Sequence, residues 1–307
     1  MFKPLSAVSA LSVTLALLAA LPAHAQQSET LGWGRLLNND ALGDGEDRWR
    51  SGSYVLSMLR GSDWGGDLPD RPGELLEFRL RAETIAPADL ITANPADRRY
   101  VGALSLGVHT HFDLRGIEAS LGVDAVFVGP QTGISSLHGD LHDLIGLPQP
   151  TVFGAQIGDG FFPTVTAEFG QTIDLGGAAA LRPFVEAQAG VETLLRVGGD
   201  LTIGALGKGD LMLRDSTTGQ RYRGIAGGDG AGVSIVLGGD IAEVYDSEFF
   251  LPGDAVTLAD TRSRFRAGMH VQGDRGEAFY GVTWLGKEFE EQVDDQVVGS
   301  INLRLKF

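Results

Sequence analysis

The chain of 307 residues has six histidines and no cysteine. His138 and His142 stand four apart in the stretch 133–146, GISSLHGDLHDLIG. There Ile134, Leu137, Leu141, Leu144 and Ile145 recur at near-helical spacing, and Gly146 is a fitting helix stop. Residues four apart share one helix face, so the two imidazoles lie side by side, either as a metal-binding pair or as a solvated face. A second cluster is Asn38-Asn39-Asp40-Ala41-Leu42-Gly43-Asp44-Gly45-Glu46-Asp47, with four carboxylates and two amides in ten residues. Hard oxygen donors at that density suit Ca²⁺. The spacing is not that of an EF-hand, and an acidic turn between strands is the plainer reading. No Gly-x-Ser-x-Gly elbow is present. The absence of cysteine excludes a thiolate nucleophile, a thiolate zinc site and a disulfide framework.

The elements that must position these groups are strands. Leu76, Phe78, Leu80 and Ala82 alternate with Glu77, Arg79, Arg81 and Glu83. From Tyr100, Leu104, Leu106, Val108 and Phe112 oppose Ser105, Gly107, His109 and His111. Phe265, Ala267, Met269 and Val271 oppose Arg262, Arg264, Arg266 and His270. Period two means strands. A soluble sandwich puts the apolar face inside, whereas a membrane barrel exchanges the faces. Three features favour the membrane barrel. Its strands are about 10–13 residues long, near the 9–11 of a tilted span. Aromatics at strand ends (Trp49, Tyr54, Tyr100, Phe112, Phe127, Trp284, Phe289) resemble an interfacial girdle. The last strand ends on Phe307 with apolar residues at alternate positions. Candidate strands start near residues 31, 49, 75, 100, 117, 152, 163, 182, 198, 230, 261, 277 and 297. The even-number rule for bacterial barrels makes the expectation an all-β transmembrane antiparallel barrel of about twelve strands, with a short helix in a rim loop. Inner faces carrying both signs of charge predict a lumen filled with ion pairs, since buried charges need partners. His109, His111 and His270 fall on those faces and read as hydrogen-bonded lumen residues.

Residues 1–25 read as a secretory signal peptide: Lys3, an apolar run from Leu5 to Leu21, and Ala23-His24-Ala25 as the cleavage site. The barrel domain then spans 26–307, exported to the bacterial outer membrane. There it meets outer-membrane lipids and the barrel-assembly machinery as partners. A formal net charge of −16 argues against nucleic acid. The 44 glycines suit tight turns and twisted strands.

Three segments resemble the outer-membrane lipid A 3′-O-deacylase (LpxR-type) family. Asn39-Asp40 followed by Asp47-Arg48-Trp49-Arg50-Ser51-Gly52 is similar to its Asn-Asp and Asp-Arg-x-x-Thr-x-Gly. Asp97-Arg98-Arg99-Tyr100-Val101-Gly102 is similar to its Asp-Arg-x-Tyr-x-Gly strand. Gly129-Pro130-x-x-Gly133 through His142-x-x-Ile145-Gly146 is similar to its Gly-Pro…His-x-x-Ile-Gly rim helix. The order runs in register over about residues 31–215. The resemblance implies Ca²⁺-dependent hydrolysis of an ester-linked acyloxyacyl chain, with lipid A or lipopolysaccharide as substrate. It implies His142 as general base and Asn39 and Asp40 as catalytic metal ligands or orienters. Two departures stand out. Arg50 occupies the family's Thr position unless the register slips by one to Ser51, and these two are the expected substrate-binding residues. Around Gln156–Asp159, where the family tends to have Glu, only Asp159 is acidic. The alternative is a barrel of the same descent that is non-catalytic or differently specific: structural, lipid-binding, or a narrow pore.

Overall fold

The computed structural model describes residues 28–228 and 231–305. The expected signal peptide and the terminal Phe307 lie outside the described residues. Fifteen strands, β1 to β15, and one α-helix, α1 (Ile134–Ile145), follow in chain order among the described residues. Twelve strands build the wall: β1 (Glu29–Asn39), β2 (Trp49–Gly61), β3 (Leu76–Ala86), β4 (Val101–Asp113), β5 (Glu118–Val128), β6 (Gly160–Gly170), β8 (Ala179–Ala189), β9 (Glu192–Ile203), β12 (Gly232–Ser247), β13 (Thr261–Gly273), β14 (Gly276–Leu285) and β15 (Gln296–Leu305). Each pairs antiparallel with its neighbours, and β1 pairs with β15, closing the sheet as a barrel. The expectation of twelve wall strands holds. The short β7 (Ile173–Gly176) continues the line of β6 along β8. The strand expected near residue 152 is instead a 3₁₀ turn, Val152–Ala155, and the wall resumes at Gly160.

The alternation settles which face is which. On β3, Glu77 and Glu83 are buried in the lumen while Phe78 and Leu80 are exposed outside. On β13, Arg262, Arg264 and Arg266 are buried and Phe265 is exposed. With no water in the bilayer, a closed sheet is the strand solution that satisfies every backbone group. Most of the lumenal charges are paired. Asp240 holds Arg196 at 2.5 Å, Arg264 at 2.8 Å and Arg266 at 2.5 Å. Glu168 holds Arg182 at 2.7 Å and Arg214 at 2.6 Å. The other histidines sit where the alternation puts them, His109 3.1 Å from Asp124 and His111 2.8 Å from Glu77.

A hairpin inside the barrel is new relative to the sequence reading. The connection between β9 and β12 folds into β10 (Leu211–Arg214) and β11 (Arg221–Ile225), a separate two-stranded sheet. Its Leu211, Leu213, Tyr222 and Ile225 pack on Leu36, Val55, Leu59 and Phe279, which point inward from the wall. Arg214 and Arg223 on the hairpin meet wall carboxylates Asp200 and Glu277. Beside the hairpin the lumen keeps a cavity of about 840 Å³ lined by Arg79, Arg81, Asp124, Thr166 and Glu186.

One rim carries the connections 40–48, 87–100, 129–159, 248–260 and 286–295. The opposite rim carries tight turns at 114–117 and 274–275, the connection 62–75, and the entry of the 204–231 segment that folds into the lumen. The girdle reading of the aromatics needs correction. Trp49, Tyr100 and Phe289 are buried within the long-loop rim, where they support side chains rather than face lipid.

Candidate active site

The site is assembled on that rim by β2, β4 and α1. Helix α1 forms as its periodicity predicts, and Gly146 stops it in the left-handed region at φ 75°, where a glycine costs least. The helix sits over β4 because Gly102 has no side chain. A Cβ there would come within 2.7 Å of the Ile134 Cβ. The face turned to the barrel carries Ile134, Ser135, His138, Gly139 and His142, all buried. The opposite face leaves Leu137, Leu141, Leu144 and Ile145 exposed. The apolar periodicity therefore marks the outward face, and the histidines mark the inward one.

Both imidazoles converge on one carboxylate. Asp47 Oδ2 lies 2.9 Å from His142 Nε2 and 3.2 Å from His138 Nε2. The far nitrogens are also engaged. His142 Nδ1 donates to the Pro148 carbonyl at 2.7 Å, and His138 Nδ1 lies 3.3 Å from the Tyr100 hydroxyl. A carbonyl only accepts, so Nδ1 of His142 carries a proton; Nε2 donates to Asp47 when the ring is the imidazolium and presents its lone pair there when the ring is neutral. Tyr100 stacks on His138, with ring centroids 5.8 Å apart, and meets Phe153 edge-on at 4.8 Å. Burial pushes the Tyr100 phenol well up, so it remains a neutral hydroxyl at physiological pH.

Asp47 also accepts from the Ser51 hydroxyl, at 2.6 Å through Oδ1. Burial works to raise this carboxyl, but the hydrogen bonds with His138, Ser51 and His142 outweigh it and hold the pKa at about 2. Ser51 reaches Asp47 because β2 begins with a bulge between Trp49 and Gly52, where Trp49 takes φ 48°. The bulge places both Arg50 and Ser51 out of the lipid-facing row. The slipped register thus brings a hydroxyl to the site. Arg50 instead turns into the lumen and binds Glu83 at 3.0 Å, Glu192 at 3.4 Å and Glu288 at 2.8 Å. Its donors are engaged with protein carboxylates, not turned to a ligand at the rim.

Asn39 and Asp40 lie one step away. Asn39 Nδ2 donates to the Ser51 carbonyl at 3.1 Å, so it touches the site through Ser51. Asp40 is buried, and its carboxylate accepts from the backbone N–H of Ala41 at 2.8 Å and of Arg48 at 2.9 Å, tying the 40–48 loop together. Burial pushes the Asp40 carboxyl up to about 8, against the lowering by those N–H groups. A Ca²⁺ ion needs six to eight oxygens turned to one point. Asn39 Oδ1 accepts from Ala41 N–H at 3.0 Å, and both Asp40 oxygens are likewise committed to the backbone. Each of these oxygens keeps a second lone pair that a cation could share. Among the described residues Asp47, His138 and His142 also bring three donor atoms together. Asp159 lies outside the cluster, accepting from Gln131 N–H at 2.8 Å.

In the sequence Asp47 counts only as one of the four carboxylates of the 38–47 cluster and as the head of one motif, with no role of its own. Its meeting with His142, 95 residues away, is set by the barrel wall and could not be read from spacing.

A closed twelve-stranded barrel, charged within and apolar outside, with a polar site under a rim helix, is an outer-membrane barrel protein. The chain belongs to the family of outer membrane protein LpxR, whose family model matches residues 11–307. Among solved structures it is similar to LpxR from Salmonella typhimurium, at 18% identity and a TM-score of 0.74, covering 90% of this chain and 100% of that one. It also matches the NanC porin at 7% identity and a TM-score of 0.41, covering 90% of this chain and 100% of that one. The β domain of the Bordetella autotransporter BrkA matches at 10% identity and a TM-score of 0.41, covering 92% of this chain and 100% of that one. No curated protein matches.

Proposed function

We propose that the chain is a lipid A deacylase that hydrolyses an ester-linked acyloxyacyl chain at the outer leaflet. The observation that carries this reading is the His142–Asp47–Ser51 chain of contacts under α1. His142 is the general base. Its Nδ1 proton is held by Pro148, so Nε2 carries the lone pair that takes a proton from a water entering beside Asp47. The Asp47 carboxylate, 2.9 Å from Nε2, stabilises the imidazolium that results, while the Pro148 carbonyl holds the Nδ1–H tautomer. The proton then returns to the leaving alkoxide. Ser51 and Asn39 fix the carboxylate and the strand edge beneath it, and Asp40 fixes the loop that carries Asp47.

Location supports the same reading. Longer loops face outward in bacterial barrels, so the site opens where the outer leaflet's lipid lies. The exposed Leu137, Leu141, Leu144 and Ile145 offer an apolar surface for an acyl chain next to the base.

Expression in a host with hexa-acylated lipid A tests this. Mass spectrometry should show one acyloxyacyl group lost. His142→Ala should lower the rate by about 10²–10⁴, as removal of a general base commonly does. Unchanged lipid A from correctly inserted wild-type barrel would overturn the reading in favour of a non-catalytic barrel.

A further inference from the structure

We propose that the lumen holds a binding site for one small oxyanion of the phosphate kind, centred on Arg221 of the hairpin. The site lies apart from the rim residues and does not rest on the deacylase reading. Five guanidiniums and five carboxylates of the lumen form one continuous chain of ion pairs. Arg182 joins Glu118 to Glu168, Arg214 joins Glu168 to Asp200, and Arg266 joins Asp200 to Asp240. Asp240 also takes Arg264 and Arg196, and Arg196 ends on Glu186. That chain is neutral in itself.

Arg221 stands beside it as a sixth guanidinium. Its charged neighbours are Arg182, Asp200, Glu118 and Arg214. Among the described residues no carboxylate oxygen comes within 4.0 Å of its nitrogens, and its side-chain hydrogen bond is a long one, from Nη2 to the Met212 carbonyl at 3.5 Å. The hairpin register sharpens the imbalance. Arg214 and Arg221 are direct partners across the β10–β11 ladder, and like charges directly opposite destabilise a strand pair. Arg214 is offset by Glu168 and Asp200, whereas Arg221 is offset by nothing in reach. A charge withdrawn from bulk water is costly unless it finds a partner.

The space for a partner exists. Arg221 lines the lumenal cavity of about 840 Å³ together with Arg182 and Arg214. Arg182 spends Nε and Nη1 on Glu118 and Glu168, which leaves Nη2 for a ligand. The fork of Arg221 fits two oxygens of one oxyanion, and the hydroxyls of Thr166 and Thr202 line the same cavity. Arg50 and its three glutamates stand across the cavity toward the long-loop rim. Asp67, Asp70 and Lys208 line it at the short-turn rim, so the ion enters from the periplasmic side. The two aspartates at that mouth repel a large polyanion, which leaves a compact ion as the ligand.

The test is isothermal titration of the refolded full-length barrel in detergent with inorganic phosphate, at an ionic strength held constant with sodium chloride. One phosphate should bind per chain. Arg221→Met should weaken binding by at least about 10-fold, as the loss of hydrogen bonds to a charged group does. Arg221→Lys, which keeps the charge without the fork, should fall between the two. Unfolding midpoints separate this role from a structural one. Phosphate should raise the wild-type midpoint as its concentration rises and leave Arg221→Met unmoved. Without phosphate, Arg221→Met should unfold at or above the wild-type midpoint, because its repulsion with Arg214 is gone. The absence of saturable phosphate binding to wild-type barrel, or equal affinity in folded Arg221→Met, would overturn the site. So would an Arg221→Met barrel that fails to refold or is destabilised alike with and without phosphate, since Arg221 would then be a structural cation. Heat-modifiable gel mobility reports folding in each case.

Discussion

Asp47 and Asp40 are seven residues apart and titrate in opposite directions for physical reasons visible at the rim. Asp47 gains three hydrogen-bond partners from side chains and sits at about 2. Asp40 is enclosed by the loop it ties and sits at about 8, raised from 3.8. A carboxyl whose folded pKa is raised gives stability that is complete below its unfolded pKa and lost as pH rises through the folded one. Wild-type barrel should therefore lose stability between about pH 4 and pH 8 relative to Asp40→Asn, which cannot ionise. Unfolding midpoints across that range, followed by heat-modifiable mobility, check this. Parallel curves for the two proteins would count against a neutral Asp40. The residue scale also shows what sequence could carry. His142 was legible through its motif and His138 through the four-residue spacing. Ser51 was legible only as a register alternative, because a bulge is a backbone event that composition does not announce.

At the scale of elements, the rim helix was legible from its first residue to its glycine stop, yet its orientation was not. Periodicity identifies an apolar face without saying what that face meets, and in α1 it meets the outside. What turns the histidines inward is the seat at Gly102, two residues beyond Tyr100 in the same motif. Gly102→Val should push Ile134 off β4 and tilt the helix. Overpacking of this kind costs about 1–3 kcal/mol, and here the strain falls on the site. Limited proteolysis should cut the 129–159 loop faster in the variant, with the barrel itself intact. Equal cutting rates would show that α1 is not seated by this glycine.

At the scale of the whole molecule, the fold was legible because alternation repeats on every wall strand. The hairpin in the lumen was not, because β10 and β11 are too short to show a period of their own. A trace existed nonetheless. β1 and β2 are apolar on both faces, with Leu36 and Leu37, and Val55 and Leu56, adjacent in sequence. An inner wall made of Leu36, Val55 and Leu59 needs something apolar inside, and the hairpin supplies it. In planar bilayers the wild-type barrel should show little steady conductance. Replacing residues 207–228 by a short flexible linker should open ion flow through the charged lumen. A large conductance in the wild type would assign it to the pore reading instead.

The seam between the first and last wall strands is short. Only Leu37, Asn38 and Asn39 of β1 pair in register with β15, against ten or more pairs at most other wall contacts. Below them side chains take over, with Asn302 Nδ2 donating to the Arg35 carbonyl at 2.8 Å. A wall joined so lightly where its ends meet should part there first when the barrel is denatured, and the polar site at that rim, which Asn39 touches through Ser51, should go with it.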